Sequence, residues 1–177
     1  MMKKICVYCS SRADINPLYI KAAEDLAKEI GRRGDNLVYG GVSKGLMEII
    51  AKGVKTEGGS VTGVIPKYMI DRGFLSEYVD DIIVTQGLCE RKQEMLKIAD
   101  VFVALPGGIG TLDEVVGTIS GTKIGEHTKT TILFNVNGFW NSFMNVIEMM
   151  NKEGVNEGFN SQYLKMANTI DEVIELL

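Results

Sequence analysis

Histidine, tryptophan, proline and cysteine are all scarce in this chain of 177 residues, which holds one histidine, one tryptophan, three prolines and three cysteines. One histidine and three cysteines are too few for the ligand sets of a structural zinc module, and no metal is expected. Cys6-Val7-Tyr8-Cys9 has the spacing of a redox pair. It lies in a strand pattern, however, whereas redox pairs sit at helix N-termini. All three cysteines are therefore expected as reduced thiols. Charge of one sign is also lacking: 19 Lys and Arg stand against 23 Asp and Glu, a net charge of −4. That balance gives no general attraction to nucleic acid or to an anionic membrane. No apolar run is long enough to span a bilayer. Met1-Met2-Lys3-Lys4 leads straight into a short apolar strand, without the length or cleavage site of a signal peptide. The expectation is a cytoplasmic protein with no nucleic-acid or membrane partner. No repeat, linker or low-complexity stretch interrupts the chain, so one domain is expected over residues 1–177, large enough for a sizeable core.

What the chain has is glycine placed after strands. Val101-Phe102-Val103-Ala104-Leu105 is apolar without alternation, the pattern of a strand buried on both faces of a parallel sheet. Pro106 ends it, having no N–H for the ladder. Gly107, Gly108 and Gly110 follow with Ile109 among them, and from Thr111 onward Leu112, Val115, Val116 and Ile119 recur at helical spacing. A glycine turn running from a strand tip into a helix N-terminus suits a phosphate, because free N–H groups and the positive end of the helix dipole converge there. The turn is neither a Walker A loop nor a dinucleotide fingerprint, since the lysine and the glycine spacing are missing. Thr111-x-x-Glu114 also fits a capping box, so Glu114 has a structural reading beside a chemical one. Thr169-x-x-Glu172 is a second T-x-x-E, without a preceding glycine turn, and serves as a control.

The rest of the chain alternates in the same way. Residues 5–8 read as a first strand, with Cys9-Ser10-Ser11-Arg12 as the loop at its carboxyl end. Asn16 and Pro17 open a helix with Leu18, Ala22, Leu26, Ala27 and Ile30 on one face, and Gly31 and Gly34 are expected to end it. Residues 36–39 form a second strand. It runs into Gly40-Gly41-Val42-Ser43-Lys44-Gly45 and a helix over about residues 46–56, a second strand–glycine–helix turn. Strands follow at 60–65 and 81–84, with an irregular segment between them that holds at most a short helix. Residues 90–99 read as a helix whose charges, Arg91 and Lys92 among them, have the ordinary reading of a solvated face. Residues 117–129 read as a helix end and loop. A strand at 131–134, a helix at 139–151, a short strand at 164–167 and a capped final helix complete the chain. This order implies an α/β fold, a doubly wound and mainly parallel sheet with helices on both faces. Ligands then bind where loops part at the carboxyl ends of the strands.

Four elements in order resemble the Lonely Guy (LOG) family. Pro106-Gly107-Gly108-Ile109-Gly110-Thr111-Leu112-Asp113-Glu114 matches its P-G-G-x-G-T-x-x-E signature. Glu90-Arg91-Lys92 with Met95 is similar to its E-R-K-x-x-M, Val38-Tyr39-Gly40-Gly41 with Gly45-Leu46-Met47 to its V-Y-G-G-G-x-x-G-L-M, and Gly63-Val64-Ile65-Pro66 to its G-V-I-P. The similarity runs over residues 5–144. It implies a Rossmann-like fold, a homodimer without cofactor, and a phosphoribohydrolase that cleaves cytokinin riboside 5′-monophosphates to the free base and ribose 5-phosphate. In many bacterial members it also implies activity on AMP. It implies Arg91 and Glu114 as the catalytic pair, with Ser10, Gly40, Gly41, Lys92, Gly107, Gly108, Ile109, Gly110 and Thr111 around the substrate. The chain departs from the family pattern at Val42 and Glu48, where glycines are usual, and at Ser120-Gly121-Thr122-Lys123, where T-W-A-Q is typical. These departures are expected to flank the base pocket. Two other readings stand beside this one: a nucleotide-binding protein without hydrolysis, and a pyridoxal-phosphate lysine decarboxylase, the family's older label. No motif singles out a Schiff-base lysine for the latter.

Overall fold

The computed structural model describes residues 2–156 and 161–177; Met1 and residues 157–160, which the single-domain expectation also spans, lie outside them. Strands and helices alternate: β1 (Lys4–Tyr8), α1 (Pro17–Arg32), β2 (Asn36–Tyr39), α2 (Gly45–Thr56), β3 (Ser60–Pro66), α3 (Lys67–Asp71), β4 (Asp81–Thr85), α4 (Leu88–Ile98), β5 (Val101–Ala104), α5 (Ile109–Lys123), β6 (Thr131–Phe134), α6 (Asn141–Lys152), β7 (Leu164–Ala167) and α7 (Ile170–Leu176). The strands form one sheet in the order β4-β3-β2-β1-β5-β6-β7, with every neighbouring pair parallel.

Alternation along each central strand builds two cores. Ile5 and Val7 of β1, with Val101 and Val103 of β5, pack under α1, α2 and α7. Cys6 and Tyr8, with Phe102 and Ala104, pack under α4, α5 and α6. Successive side chains point to opposite faces of a strand, so a run with no polar residue is what a sheet covered on both sides requires. Sheet growth changes direction between β1 and β5. The chain leaves β1 toward α1 on one face and β5 toward α5 on the other, and the loops part to open a crevice at the carboxyl edge.

Two boundaries differ from expectation. α1 continues through Gly31 to Arg32. A Cβ at Gly31 would press on Glu57 and the Val54 carbonyl, so this glycine serves close packing of α1 on α2; Gly34, at φ +66°, supplies the left-handed turn. α5 begins two residues before Thr111 and does not unwind at Gly117. Val115 and Ile119 hold it on the sheet, and a Cβ at Gly121 would press on the ring of His127. Tertiary packing outweighs the roughly 1 kcal/mol that each interior glycine costs a helix.

Phe102 lies at the centre of the sheet, fully buried and stacked on Tyr8 with centroids 5.6 Å apart. Phe102→Ala should lower unfolding free energy by about 3–5 kcal/mol, read as a shift in urea midpoint at unchanged slope. A loss below ~1 kcal/mol would show that the second core does not rest on this ring.

Candidate active site

The crevice is a cavity of about 470 Å³ at the carboxyl edge of the sheet. Five connections reach it: the loop after β1 (Cys9 to Arg12), the β2–α2 turn (Gly40, Val42, Lys44, Met47), the segment after β3 (Pro66, Met69, Phe74), the start of α4 (Leu88, Arg91, Lys92) and the β5–α5 turn (Gly108, Gly110, Thr111, Asp113, Glu114). Arg91 is not on a solvated face. Its Nη1 lies 3.0 Å from Glu114 Oε1, with the two side chains 13% and 9% exposed. Arg91 Nε donates to the Val64 carbonyl at 3.1 Å, tying the guanidinium to β3. A Cβ at Gly40 would overlap that guanidinium, which is the physical demand for glycine there. Burial pushes the Glu114 carboxyl above its ordinary value, and the Arg91 charge opposes the rise. Lys92 pairs with Asp113 through both carboxylate oxygens, at 2.9 and 2.8 Å, forming a second and more open ion pair.

Glu114 is not part of a cap. Gly108 is the N-cap residue of α5, and Thr111 lies inside the first turn. The Thr111 methyl and hydroxyl fold over Gly107, where a Cβ has no room. The control behaves differently. Glu172 N–H donates to Thr169 Oγ1 at 3.2 Å, and Glu172 Oε2 accepts from Asn168 N–H at 2.6 Å. α1 and α7, away from the ion pair, have side-chain caps, from Asn16 and Thr169. α2, α4 and α5, which open onto the cavity, have no side-chain cap. In α2 the Leu46 N–H is taken by the Ser10 carbonyl at 3.0 Å; first-turn N–H groups of α4 and α5 that no side chain caps suit an anion.

Of the residues singled out by sequence, Ser10, Gly40, Arg91, Lys92, Gly108, Gly110, Thr111 and Glu114 line the cavity. Gly41, Gly107 and Ile109 do not. Gly41 turns the chain at φ +70°, Gly107 seats Thr111, and Ile109 points outward, 82% exposed. Sequence reasoning missed the apolar wall of Met47, Pro66, Met69, Phe74 and Leu88. The signal was the apolar content of the segment after β3, which α3 and a bridge between Val42 and Leu75 fold against the cavity. Val42 lines the cavity. Glu48 and residues 120–123 do not line it, the latter because they lie at the far end of α5. Cys6 and Cys9 are buried and Cys89 is exposed, all as free thiols, and Cys9 lies on the cavity floor. Burial raises the Cys6 and Cys9 thiols well above their ordinary value, so both stay protonated. Among the described residues, no group of three or more His, Cys, Asp and Glu is placed to hold a metal ion.

A family model described as "Possible lysine decarboxylase" matches residues 47–177. The cytokinin riboside 5′-monophosphate phosphoribohydrolase LOG of Oryza sativa subsp. japonica is 43% identical over 152 residues, 86% of this chain and 63% of that protein. The chain belongs to the LOG family. A second rice relative, the probable cytokinin riboside 5′-monophosphate phosphoribohydrolase LOGL3, is 38% identical over 99% of this chain and 83% of its own length. The LOG fold here is also that of the molybdenum cofactor carrier protein from Chlamydomonas reinhardtii (TM-score 0.78, 24% identity, 99% of this chain and 96% of that one). It is shared as well by the molybdenum cofactor binding protein from Rippkaea orientalis (TM-score 0.73, 24% identity, 99% and 95%).

Gly40→Ala should displace the Arg91 guanidinium. The expected result is a folded protein in which the Arg91 Nε–H resonance moves and any ligand that wild type holds in the cavity binds more weakly. An unchanged Arg91 resonance would show that Gly40 is not the seat of this side chain.

Proposed function

We propose that this protein hydrolyses the N-glycosidic bond of adenosine 5′-monophosphates, prenylated or plain, to free base and ribose 5-phosphate. The observation that carries the reading is the buried Arg91–Glu114 pair at the edge of a cavity entered by uncapped helix N-termini. Rice LOG, of which this chain spans 63%, is named for that reaction on cytokinin riboside 5′-monophosphates. In this mechanism the 5′-phosphate sits on the Gly108–Gly110–Thr111 turn. The bond from C1′ to the base nitrogen breaks, its electron pair leaves with the base, and positive charge builds on the sugar. Glu114 faces that charge and takes a proton from the water as its oxygen bonds to C1′, and that proton passes to the nitrogen of the departing base, giving neutral base and ribose 5-phosphate. Arg91 orients Glu114 and offers its fork to ribose or phosphate oxygens. The apolar wall takes the base. Gly40, Gly41, Ser10, Lys92, Gly107 and Ile109 support the site as lining or as the backbone behind it. One domain carries the reaction. The free thiols support a cytoplasmic setting.

Base release measured by chromatography tests this. AMP and isopentenyladenosine monophosphate should be cleaved, and adenosine far more slowly; equal kcat/KM for AMP and adenosine would remove the phosphate role. Glu114→Gln should fold and lose about 10²-fold in kcat, ~2.7 kcal/mol of barrier. Glu172→Gln, at the capping T-x-x-E, should leave kcat alone. A protein that binds these nucleotides tightly and releases no base would favour the reading as a nucleotide-binding protein without hydrolysis. A new absorption band on adding pyridoxal phosphate would favour the decarboxylase reading, with Lys44 or Lys92, the two lysines lining the cavity, as the Schiff-base candidate.

The homodimer belongs to the same reading. α4 has a single fully buried residue, Met95, and Leu88 of α4, Ile109 and Val116 of α5 and Ile124 just beyond it are exposed. Exposed apolar side chains on adjoining helices suit a self-complementary contact. Light scattering at assay concentration should give twice the chain mass, and Val116→Glu with Ile124→Glu should halve it. A monomeric wild type would overturn the dimer.

A further inference from the structure

Arg91 and Glu114 stand on two helices that start from different strands, so their contact depends on how α4 and α5 sit relative to one another. The far ends of both helices are tied by the segment after α5. His127, the chain's one histidine, places Nε2 3.0 Å from the Thr118 carbonyl of α5, and its Nδ1 accepts the Lys129 N–H at 3.2 Å. The second contact makes Nδ1 the acceptor, so Nε2 carries the hydrogen and donates to Thr118. Lys129 Nζ then donates to the Leu96 and Lys97 carbonyls at the end of α4, at 2.6 and 3.2 Å. Thr118 is one turn beyond Glu114: its hydroxyl donates to the Glu114 carbonyl at 2.9 Å and meets Tyr8 Oη at 3.0 Å. A continuous path therefore runs from Glu114 through Thr118, the imidazole and Lys129 to the helix that carries Arg91. Gly121 leaves the space the ring occupies, and this is the position at which the chain replaces a large aromatic with glycine.

We propose that His127 and Lys129 are positioning residues, a strap that sets α4 against α5 and so holds Arg91 and Glu114 at ion-pair distance, and that the strap is whole only while the imidazole is neutral. A protonated ring carries hydrogen on both nitrogens, so Nδ1 meets the Lys129 N–H as a second donor and that link opens. Glu126 and Lys129 face the ring from its own segment, the carboxylate favouring protonation and the ammonium opposing it. From β5 the ring meets Phe102, with Asp100 acting on Lys129; from β1, Cys6 and Tyr8 lie behind, both held protonated by burial. From α5 the nearest ionisable group along the path is Glu114. α4 adds Lys97, which is paired with Glu94. Partial burial depresses the histidine below its ordinary value, so the strap is closed at neutral pH and opens on acidification.

The inference rests on the hydrolase reading, and its test separates the two. In wild type the single histidine Cε1–H signal gives the His127 midpoint directly by NMR. The acid limb of kcat should contain a component at that midpoint, besides the one from Glu114. His127→Gln keeps a donor near Thr118 but has no Nδ1 acceptor, and Lys129→Met keeps length without the Nζ donors. Each should lower kcat about tenfold at neutral pH with KM for AMP within about twofold, and each should erase the His127 component. The double variant should match the singles rather than multiply them. Lys129→Arg, which retains donors, should restore kcat. An acid limb that is the same in His127→Gln as in wild type overturns the strap. If wild type releases no base from any nucleotide, the hydrolase reading fails alone. The strap is then read from the Arg91 Nε–H resonance, which should carry a component at the His127 midpoint in wild type and lose it in Lys129→Met. An Arg91 signal indifferent to His127 overturns the strap on that arm too.

Discussion

A guanidinium and a carboxylate, both largely removed from water, meet at 3.0 Å between two helices of this protein. Taking two charges out of solvent is repaid only when their geometry is close to ideal and their remaining polar atoms are satisfied. Much of the site serves that demand. β3 offers the Val64 carbonyl to Arg91, Gly40 gives up a side chain so that the guanidinium can lie against the β2 turn, and Tyr8 reaches from β1 to Thr118 on the helix that bears Glu114. A buried ion pair is poor evidence of stability. Placed at the edge of a cavity, with the carboxyl raised by burial and restrained by its partner, it is better read as a poised chemical group.

The topology makes such placement economical. All seven strands run the same way, so their connecting loops gather at one edge, and the reversal of strand order at β1 and β5 holds two of those loops apart. Glycine then lets the loops approach as backbone. A side chain on Gly45, at φ +56°, would run into the Ser11–Arg12 backbone, and Leu46 N–H donates to the Ser10 carbonyl at 3.0 Å. The β1 and β2 loops thus form one surface. Across it, Ser43 N–H bonds the Phe74 carbonyl at 2.8 Å and the Lys44 ammonium lies 4.0 Å from the Phe74 ring centroid, which fastens the apolar wall to the polar floor.

Much of this was legible because it follows from periodicity. The apolar run at 101–105, with glycines behind it and helical spacing ahead, predicted the central strand and the turn into α5. The strand and helix order predicted a doubly wound parallel sheet. Local letters were ambiguous where geometry decides. Two T-x-x-E segments read alike, yet Thr169 caps a helix while Thr111 sits inside one, because the glycine turn starts α5 two residues earlier than hydrophobic spacing suggests. Gly31 and Gly117 read as helix ends and proved to be sites of packing or passage within helices, since a glycine's conformational freedom is visible in sequence and its neighbours are not. The charges of α4 read as solvated because their partners, Glu114 and Asp113, are more than twenty residues away. The apolar wall after β3 has no period of its own and is ordered by long-range contacts with the β2–α2 turn, through Gly41, Val42, Ser43 and Lys44.

Charge distribution, finally, argues for what the cavity receives. The chain as a whole is acidic, with a net charge of −4. Within the cavity the two carboxylates, Asp113 and Glu114, are each matched by a cation, Lys92 and Arg91. Two further cations, Arg12 and Lys44, line the same space, and among the described residues neither forms an ion pair. The helix N-termini at this edge add partial positive charge that no side-chain cap absorbs. An acidic protein that concentrates unmatched positive charge in a polar-and-apolar crevice suits ligands with an anionic end and an apolar body. The proposed nucleoside monophosphate substrate has that form, and under that proposal its phosphate would face the helix termini and free cations, its base Met47, Met69 and Phe74, and its sugar Glu114. Field and shape therefore favour the same orientation, the one the proposed hydrolysis requires, with C1′ toward the buried carboxylate.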